Sequence, residues 1–292
     1  MKPLTSVAVE QVPPSPITPT IPTVVIEPRK GLFSLNLLEL WHSRELLYFL
    51  VWRDVKVRYK QTVIGAAWVV LQPFLNMMIF SVIFGYLARI PSEGVPYPIF
   101  AFTALLPWYY FSNAVIRASN SLVGDSDLIM KVYFPRLILP ISAVTSPILD
   151  FGISVLVLAA MMIWYGIVPT VAVLTLPLFL ALAFITALAM GFWLSALNVR
   201  YRDVTYTIPF LLQVWMYVSP VVYSADMIPQ RFHLLYNLNP LVGVVEGFRW
   251  GLLGANPPDP FFLAVNAGSV AVLFLSGMIF FGRMEATFAD IV

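Results

Sequence analysis

Apolar residues run along this chain in six long blocks, roughly 62–88, 97–116, 137–165, 168–197, 205–224 and 261–282, separated by short polar segments. A helix rises about 1.5 Å per residue and needs about 20 apolar residues to cross the hydrocarbon core, so each block predicts a transmembrane helix. The first, third and fourth exceed that length and are expected to tilt or overhang. The segment before them, 31–61, is patterned differently. Tyr48, Val51, Val55 and Tyr59 fall on one side of a 3.6-residue period, with Arg53, Lys56 and Lys60 on the other. Its charges forbid spanning and predict an amphipathic helix in the interface, its basic face toward anionic headgroups. Residues 1–30 hold seven prolines among Ser, Thr and Val, which predicts a disordered, proline-rich tail. That tail lacks the basic and apolar regions of a secretory signal.

Lysine and arginine orient the blocks. With the N-terminus inside, the inner segments 1–61, 117–136, 198–204 and 283–292 carry fourteen basic residues. The outer segments carry three, Arg89, Arg231 and Arg249. The asymmetry predicts that both termini, including the short tail 283–292, are cytoplasmic. Prolines 73, 107, 140, 147, 177, 209 and 220 fall in five of the six blocks and predict kinks or breaks. No internal repeat relates the two halves, so the inverted-repeat pattern of many secondary transporters is not visible.

Composition sharpens the class. Of 292 residues 60% are hydrophobic and 11% charged, against about 25% charged in soluble domains. That excludes a soluble enzyme. A net charge of +2 gives nucleic acid no handle, and the lack of cysteine removes disulfides, thiolate metal sites and Cys nucleophiles. No glycine precedes a lysine, so there is no phosphate-binding G-x-x-x-x-G-K-[ST] loop. His42 and His233 lie on opposite sides of the predicted membrane, which argues against a histidine metal site. Neither an acidic pair nor a Ser–His–Asp set gathers in one loop, so no catalytic residue or metal ligand is assigned.

Four regions carry candidate chemistry. Asp150 is the single ionisable residue deep in a block, which makes it a proton or cation candidate by default. With no cation nearby in sequence it makes a poor relay, and Ser146 and Ser154 are the expected donors to it. Outside, Pro229–Leu238 predicts a short helix. Asn239 as N-cap, Pro240 at the first position and Gly254 as a stop predict a second helix, 240–253. At near 21 Å the second is too short to cross, so it dips in or lies on the outer leaflet. Glu246 and Arg249 are spaced to neutralise each other, and Gly243, Gly247 and Gly251 form a smooth stripe, read either as a packing seam or as a movable outer lid. Inside, Asp125, Ser126 and Asp127 can cap a helix 128–134 that Pro135 ends. It presents Leu128, Met130, Val132, Tyr133 and Phe134 around Lys131, an apolar surface that needs a cover. Finally, Trp108, Tyr109, Tyr110, Trp215 and Tyr217 fall mid-block, where interfacial belts do not explain them. Their rings and hydroxyls suit sugar, and bundle packing accounts for them as well.

Five segments together resemble a known family: RDVKVRYKQTVIGAAWVVLQP (53–73), LLPWYYFSNAV (105–115), LNVRYRDV (197–204), SPVVYSADMIP (219–229) and NPLVGVVEGFRWGLLG (239–254). They are similar to the permease subunit of type-two ATP-binding-cassette exporters that move O-antigen, capsule or teichoic-acid chains. The resemblance covers about residues 35–285, with no counterpart for the tail. It implies an all-α integral membrane protein of the bacterial inner membrane with six transmembrane helices (62–282), an N-terminal amphipathic interface helix (31–61) and two short re-entrant helices (229–253) between spans five and six. It implies a homodimer, two copies of a separate cytoplasmic ATPase that binds ATP and Mg, and no cofactor on this chain. The substrate it implies is a polyprenyl-pyrophosphate-linked glycan among membrane lipids. Arg53, Lys56, Arg58 and Lys60 would then receive the anionic head. Trp68, Phe74, Phe210, Trp215 and Tyr217 would wall the channel, with Tyr109 and Tyr110 behind. Asp125, Asp127, Leu128, Lys131, Tyr133 and Phe134 would couple to the ATPase. Pro229, Asn239, Pro240, Glu246 and Arg249 would belong to the outer gate. An exporter of another lipid or drug, or an ion-coupled transporter built on Asp150, are the alternative readings.

Overall fold

The computed structural model describes residues 37–60 and 65–291, and all regular structure among them is helical. The proline-rich segment 1–30 lies outside the described residues. The predicted interface helix divides into α1 (Leu37–His42) and α2 (Arg44–Lys60). The first apolar block forms α3 (Gly65–Phe80), continued by a wider π-helical stretch, Ser81–Leu87. Then come α4 (Tyr97–Gly124), the short α5 (Ser126–Lys131), α6 (Ile138–Thr145), α7 (Ile148–Tyr165), α8 (Leu176–Arg200) and α9 (Val204–Val218). The region predicted to be outer supplies α10 (His233–Asn237) and α11 (Pro240–Leu253), and α12 (Pro260–Ile291) closes the order.

Five stretches are long and apolar enough to cross a bilayer: Ala67–Leu87, Tyr97–Gly124, Ile138–Tyr165, Val171–Arg200 and Pro260–Glu285. The block expected at 205–224 departs from this. Its helix α9 has 15 residues, about 22 Å, because Ser219 turns to extended backbone and Pro220 follows. The six expected spans therefore resolve into five long helices and one short one. The prolines divide by position. Pro147 splits its block into α6 and α7, whereas Pro73, Pro107 and Pro209 are carried inside continuing helices. Pro140 and Pro177 sit in first turns, where a missing N–H costs nothing.

Helix α4 is the axis of the bundle and is buried almost from end to end. Its alanines at 101, 104, 114 and 118 let neighbours approach, and α8, α6, α7 and α11 all pack on it. The closest approach to α8 puts Gly191 where an added Cβ would lie 2.8 Å from the Ala118 methyl. α8 in turn holds α12, with Trp193 stacked on Phe280 at 4.3 Å and Gly277 against the Ala189 carbonyl. At the end that the charge count predicts to be inner, a buried polar knot ties three helices. Asn198 Nδ2 donates to Ser119 O at 2.9 Å and to Asn120 Oδ1 at 3.1 Å, and Thr205 Oγ1 donates to Asn198 Oδ1 at 2.9 Å. α3 and α9 stay at the periphery with large apolar residues on their free faces, among them Trp68, Phe74, Phe210 and Tyr217.

α2 also departs from expectation. Its inward face is Leu46, Leu50, Asp54 and Arg58, each four residues on from the last, while Tyr48 from the expected apolar face is 72% exposed. Phe49, Trp52 and Val57 are exposed too. Apolar residues occupy most of the circumference of α2, so the 3.6-residue pattern could not say which face meets protein. Packing against α6 decides it.

Candidate functional site

A cleft of about 470 Å³ opens between α2, α3, α4 and α7. Its floor is charged. Arg58, near the end of α2, ion-pairs through Nη1 with Asp150 Oδ2, and the Tyr59 hydroxyl donates to the other carboxylate oxygen. Arg58 Nη2 also reaches Ser146 Oγ at 3.4 Å. Asp150 is thus not the isolated acid the sequence suggests, since a cation and a hydroxyl come to it from about 90 residues away. Nor do the expected serines serve its carboxylate: Ser154 Oγ donates to the Asp150 backbone carbonyl at 3.0 Å. Arg117 lines the same cleft from α4. Burial pushes the Arg58 guanidinium down to about 10, and the like charge of Arg117 adds to the push, so Arg58 stays cationic at neutral pH. The upper wall is aromatic and amide: Trp68, Gln72, Tyr109 and Tyr110, with Asn76 Nδ2 donating to the Tyr109 hydroxyl.

A second charge cluster links α2 to the α4–α5 corner. Arg53 gives Nη1 and Nη2 to the two oxygens of Asp125, at 2.8 and 2.9 Å, and gives Nε and Nη2 to Asp54 at 3.1 and 2.9 Å. The Asp125 bond holds the Arg53 guanidinium above its ordinary value despite burial. Asp125 therefore does not cap α5 with its side chain, as expected, because the carboxylate is taken by Arg53. α5 is also shorter than the predicted 128–134. It ends at Lys131 with Val132 extended, leaving Met130, Val132 and Tyr133 exposed, while Phe134 turns into the core. Lys131 pairs with Asp127 at 3.3 Å on the surface, and Leu128 is half-buried. The predicted basic quartet divides three to one. Arg53, held by Asp125, borders a groove on the outward face with Lys56, Lys60, Phe49 and Trp52, while Arg58 turns into the cleft.

The outer region is built by packing. Asn239 caps α11 through its Oδ1, which accepts from Leu241 N at 3.1 Å and from Trp215 Nε1 at 3.0 Å, while its Nδ2 donates to Ser219 Oγ at 2.9 Å. Pro240 takes the first turn, and Gly254 ends the helix at φ +73°. Pro229 stands before the 3-10 turn Gln230–Phe232 that leads into α10. The glycine stripe is a seam. Gly243 faces Asn266 of α12, Gly247 faces Phe179 of α8, and Gly251 faces Leu176. Glu246 and Arg249 form no ion pair among the described residues. Arg249 is 1% exposed, lies 3.6 Å over the Phe100 ring, and donates to the carbonyls of Tyr223 (3.0 Å) and Val221 (3.2 Å). Burial pushes the Glu246 carboxyl up to about 7, with Arg249 pulling it down and Asp226 and Glu93 adding to the rise.

A family model described as ABC-2 type transporter matches residues 45–253, a stretch that holds both charge clusters and α11. The chain belongs to that family. It is 32% identical over 251 residues to the O-antigen export system permease protein RfbA of Myxococcus xanthus, a match spanning 85% of this chain and 95% of that one. A permease of the same name from Klebsiella pneumoniae is 27% identical over 256 residues, covering 85% and 95%. The polysialic acid transport protein KpsM of Escherichia coli is 24% identical over 199 residues, covering 66% and 76%.

Of the expected channel residues, Trp68, Tyr109 and Tyr110 share the inner cleft with Arg58. Phe74, Phe210 and Tyr217 lie on the exposed faces of α3 and α9, where the cleft-lining Trp68 is also exposed. Trp215 packs edge-on against Phe111 at 5.3 Å and belongs with Asn239 to the outer region. Sequence reasoning missed Arg117, assigned to a loop because the second block was ended at 116. The helical spacing of Val115, Ala118 and Leu122 was the available signal, and all three are buried along α4. Gln72 and Asn76, one turn apart on α3, were also passed over.

Proposed function

We propose that this chain is the transmembrane subunit of an exporter that moves a lipid-linked polysaccharide across the bacterial inner membrane, driven by a separate ATPase. The observation that carries the reading is the 32% identity to an O-antigen export permease over 85% of this chain and 95% of the relative. Two permeases named for O-antigen export and one protein named for polysialic acid transport share only a polymer of sugar as cargo. The pairing of Asp150 with Arg58 weighs against ion coupling, since the carboxylate already has its counter-ion.

In this reading two copies assemble with two ATPases, both termini face the cytoplasm, and α9 serves as the sixth, short span. The exposed aromatic faces of α3 and α9 (Trp68, Phe74, Phe210, Tyr217) line a channel between the copies, where weak stacking lets glycan slide. α10 and α11 dip in from outside as its rim. The exposed Met130, Val132 and Tyr133, with Asp127, Leu128 and Lys131 beside them, meet the ATPase, which covers their apolar surface. Movement there has a path inward: Asp125 grips Arg53, and α2 carries that pull to Arg58 and the cleft. Each member of that chain is a discrete contact, so the coupling is open to double-mutant test.

The test is purification of this chain from its native neighbourhood in mild detergent, followed by native mass spectrometry. A 2:2 complex with an ATP-hydrolysing protein is expected. A chain that is recovered without an ATPase, folded and in every detergent tried, contradicts the reading.

A further inference from the structure

The segment 219–224, which leads out of α9, is gripped by side chains from three other parts of the chain. Arg249 of α11 donates to the Val221 and Tyr223 carbonyls, and the Tyr97 hydroxyl of α4 donates to the Val222 carbonyl at 2.6 Å. Ser224 Oγ donates to the Glu93 carboxylate in the loop before α4. Val221 and Val222 are buried under that grip. Two polar groups beside it are left over. Arg249 Nε is buried without a hydrogen-bond partner. Glu246, three residues back on the same helix face, has neither a hydrogen bond nor an ion pair among the described residues. Both line a cavity of about 270 Å³, which Glu93, Asp226, Asp259, His233 and Tyr236 line as well.

We infer that Glu246 and Arg249 form a proton-operated latch on this segment. With Glu246 protonated, the guanidinium holds the Val221 and Tyr223 carbonyls; when Glu246 loses its proton to solvent, the guanidinium turns to the carboxylate and lets those carbonyls go. An ionised Glu246 would otherwise be a largely buried anion without a partner, and a charged acceptor outcompetes a neutral carbonyl for a guanidinium N–H. The groups that face the pair come from every element around it. Asp226 of the turn Ala225–Met227 and Glu93 oppose the anion, and Asp259 before α12 adds a third acid to the cavity wall. Arg249 and His233 of α10 favour it, while Tyr236 of α10 and Tyr97 of α4 stand beside Arg249 as uncharged hydroxyls. Burial leaves the Glu246 carboxyl at about 7 and the Arg249 guanidinium at about 10, so near neutrality the acid titrates and the cation does not. The gripped state binds the proton more tightly than the released one, where Glu246 has gained a cation, so rising pH favours release. α11 stays on its glycine seam; one side chain and the segment it holds are what move. The latch rests on the export reading only for its consequence, since α9, which that reading sets on the channel, ends at this segment. After release Tyr97, Ser224 and Asn239 remain as its polar ties there.

The chain has no cysteine, so a single Val222→Cys, at a position 2% exposed, reports release through its labelling by a methanethiosulfonate reagent. The full chain is used as purified in mild detergent, with whatever ATPase accompanies it. Val168→Cys, at a position 84% exposed, divides out the thiol's own pH dependence. Normalised labelling of Val222→Cys is expected to rise about tenfold or more from acid to alkaline pH, because the two states differ in proton affinity. Its midpoint is expected near 7. Adding Glu246→Gln should keep labelling slow throughout, Glu246→Asp should bring the rise back, and His233→Gln should move the midpoint upward without removing it. A rise that survives Glu246→Gln overturns the latch, as does its loss in His233→Gln alone. Should Glu246→Gln not fold, the parent profile still decides: a flat one overturns the latch. Val199→Cys, at a position 5% exposed in α8, should stay slow at every pH, and a parallel rise there would mean general loosening and overturn it too. Recovery of the chain without an ATPase is the separate failure of the export reading and leaves this result standing.

Discussion

The inner and outer ends of this bundle are held by different physics. At the inner end, α2 is fastened by two long-range charge contacts, Arg53 to Asp125 and Arg58 to Asp150, over a cleft that stays open. At the outer end, α11 is fastened by contact: glycines against Phe179, Asn266 and Leu176, and a buried arginine whose Nη1 and Nη2 donate to carbonyls. Charge contacts can be re-paired by side-chain movement alone, whereas close packing yields only by moving whole helices. From that difference we expect α11 to move with the packed bundle and helix switching to belong to the charged end.

The sharpest way to break this comparison is to overfill the outer seam. A Cβ at Gly247 would lie 2.2 Å from Phe179, and Gly247→Val should cost about 3 kcal/mol or abolish folding. Gly268→Ala, where an added Cβ meets nothing within 4 Å, should be neutral or slightly stabilising. Thermal unfolding of the two variants measures the contrast. Equal stability would mean that α11 is not seated as described.

At the inner end Asp150→Asn should cost about 2 kcal/mol, discounted from a fully buried pair because its side chain and that of Arg58 retain 14% and 13% exposure. Arg58→Met in the same chain should restore part of that loss, as removal of both partners leaves no charge unpaired. A double-mutant cycle without coupling would contradict the pair.

Glu246 gives a pH signature confined to the outer end. Its carboxyl is raised from 4.5 to about 7, so the folded chain binds the proton more tightly than the unfolded chain does. Stability from this group is fully present below about 4.5 and is lost as pH rises toward about 7. Glu246→Gln should flatten that slope, which unfolding midpoints across the window will show. The smallest effect is expected at Lys131. Its pair with Asp127 is 72% and 82% exposed, and Lys131→Ala should shift stability by only about 0.3 kcal/mol while weakening ATPase association, read by co-purification.

Much of this architecture was legible in the sequence, because hydropathy over 20 residues reports a helix in lipid whatever its neighbours. The cap of α11 was legible for a related reason: Asn239, Pro240 and Gly254 act through local backbone geometry. What the sequence hid is long-range. The partners of Asp125 and Asp150 stand 72 and 92 residues away, so Asp125 read as a cap and Asp150 as an isolated acid. The face of α2 was hidden because apolar residues occupy most of it, and the shortness of α9 because Pro220 lies within an otherwise apolar block.

The central claim, export of a lipid-linked glycan through this chain, is tested most directly by reconstituting the permease–ATPase complex in vesicles with an outward-facing ATP site. A polyprenyl-diphosphate-linked glycan is supplied in the outer leaflet, and its passage to the lumen is followed by protection from an added glycosidase. The account predicts protection that requires ATP. ATP hydrolysis by an intact complex with no protected glycan would contradict it.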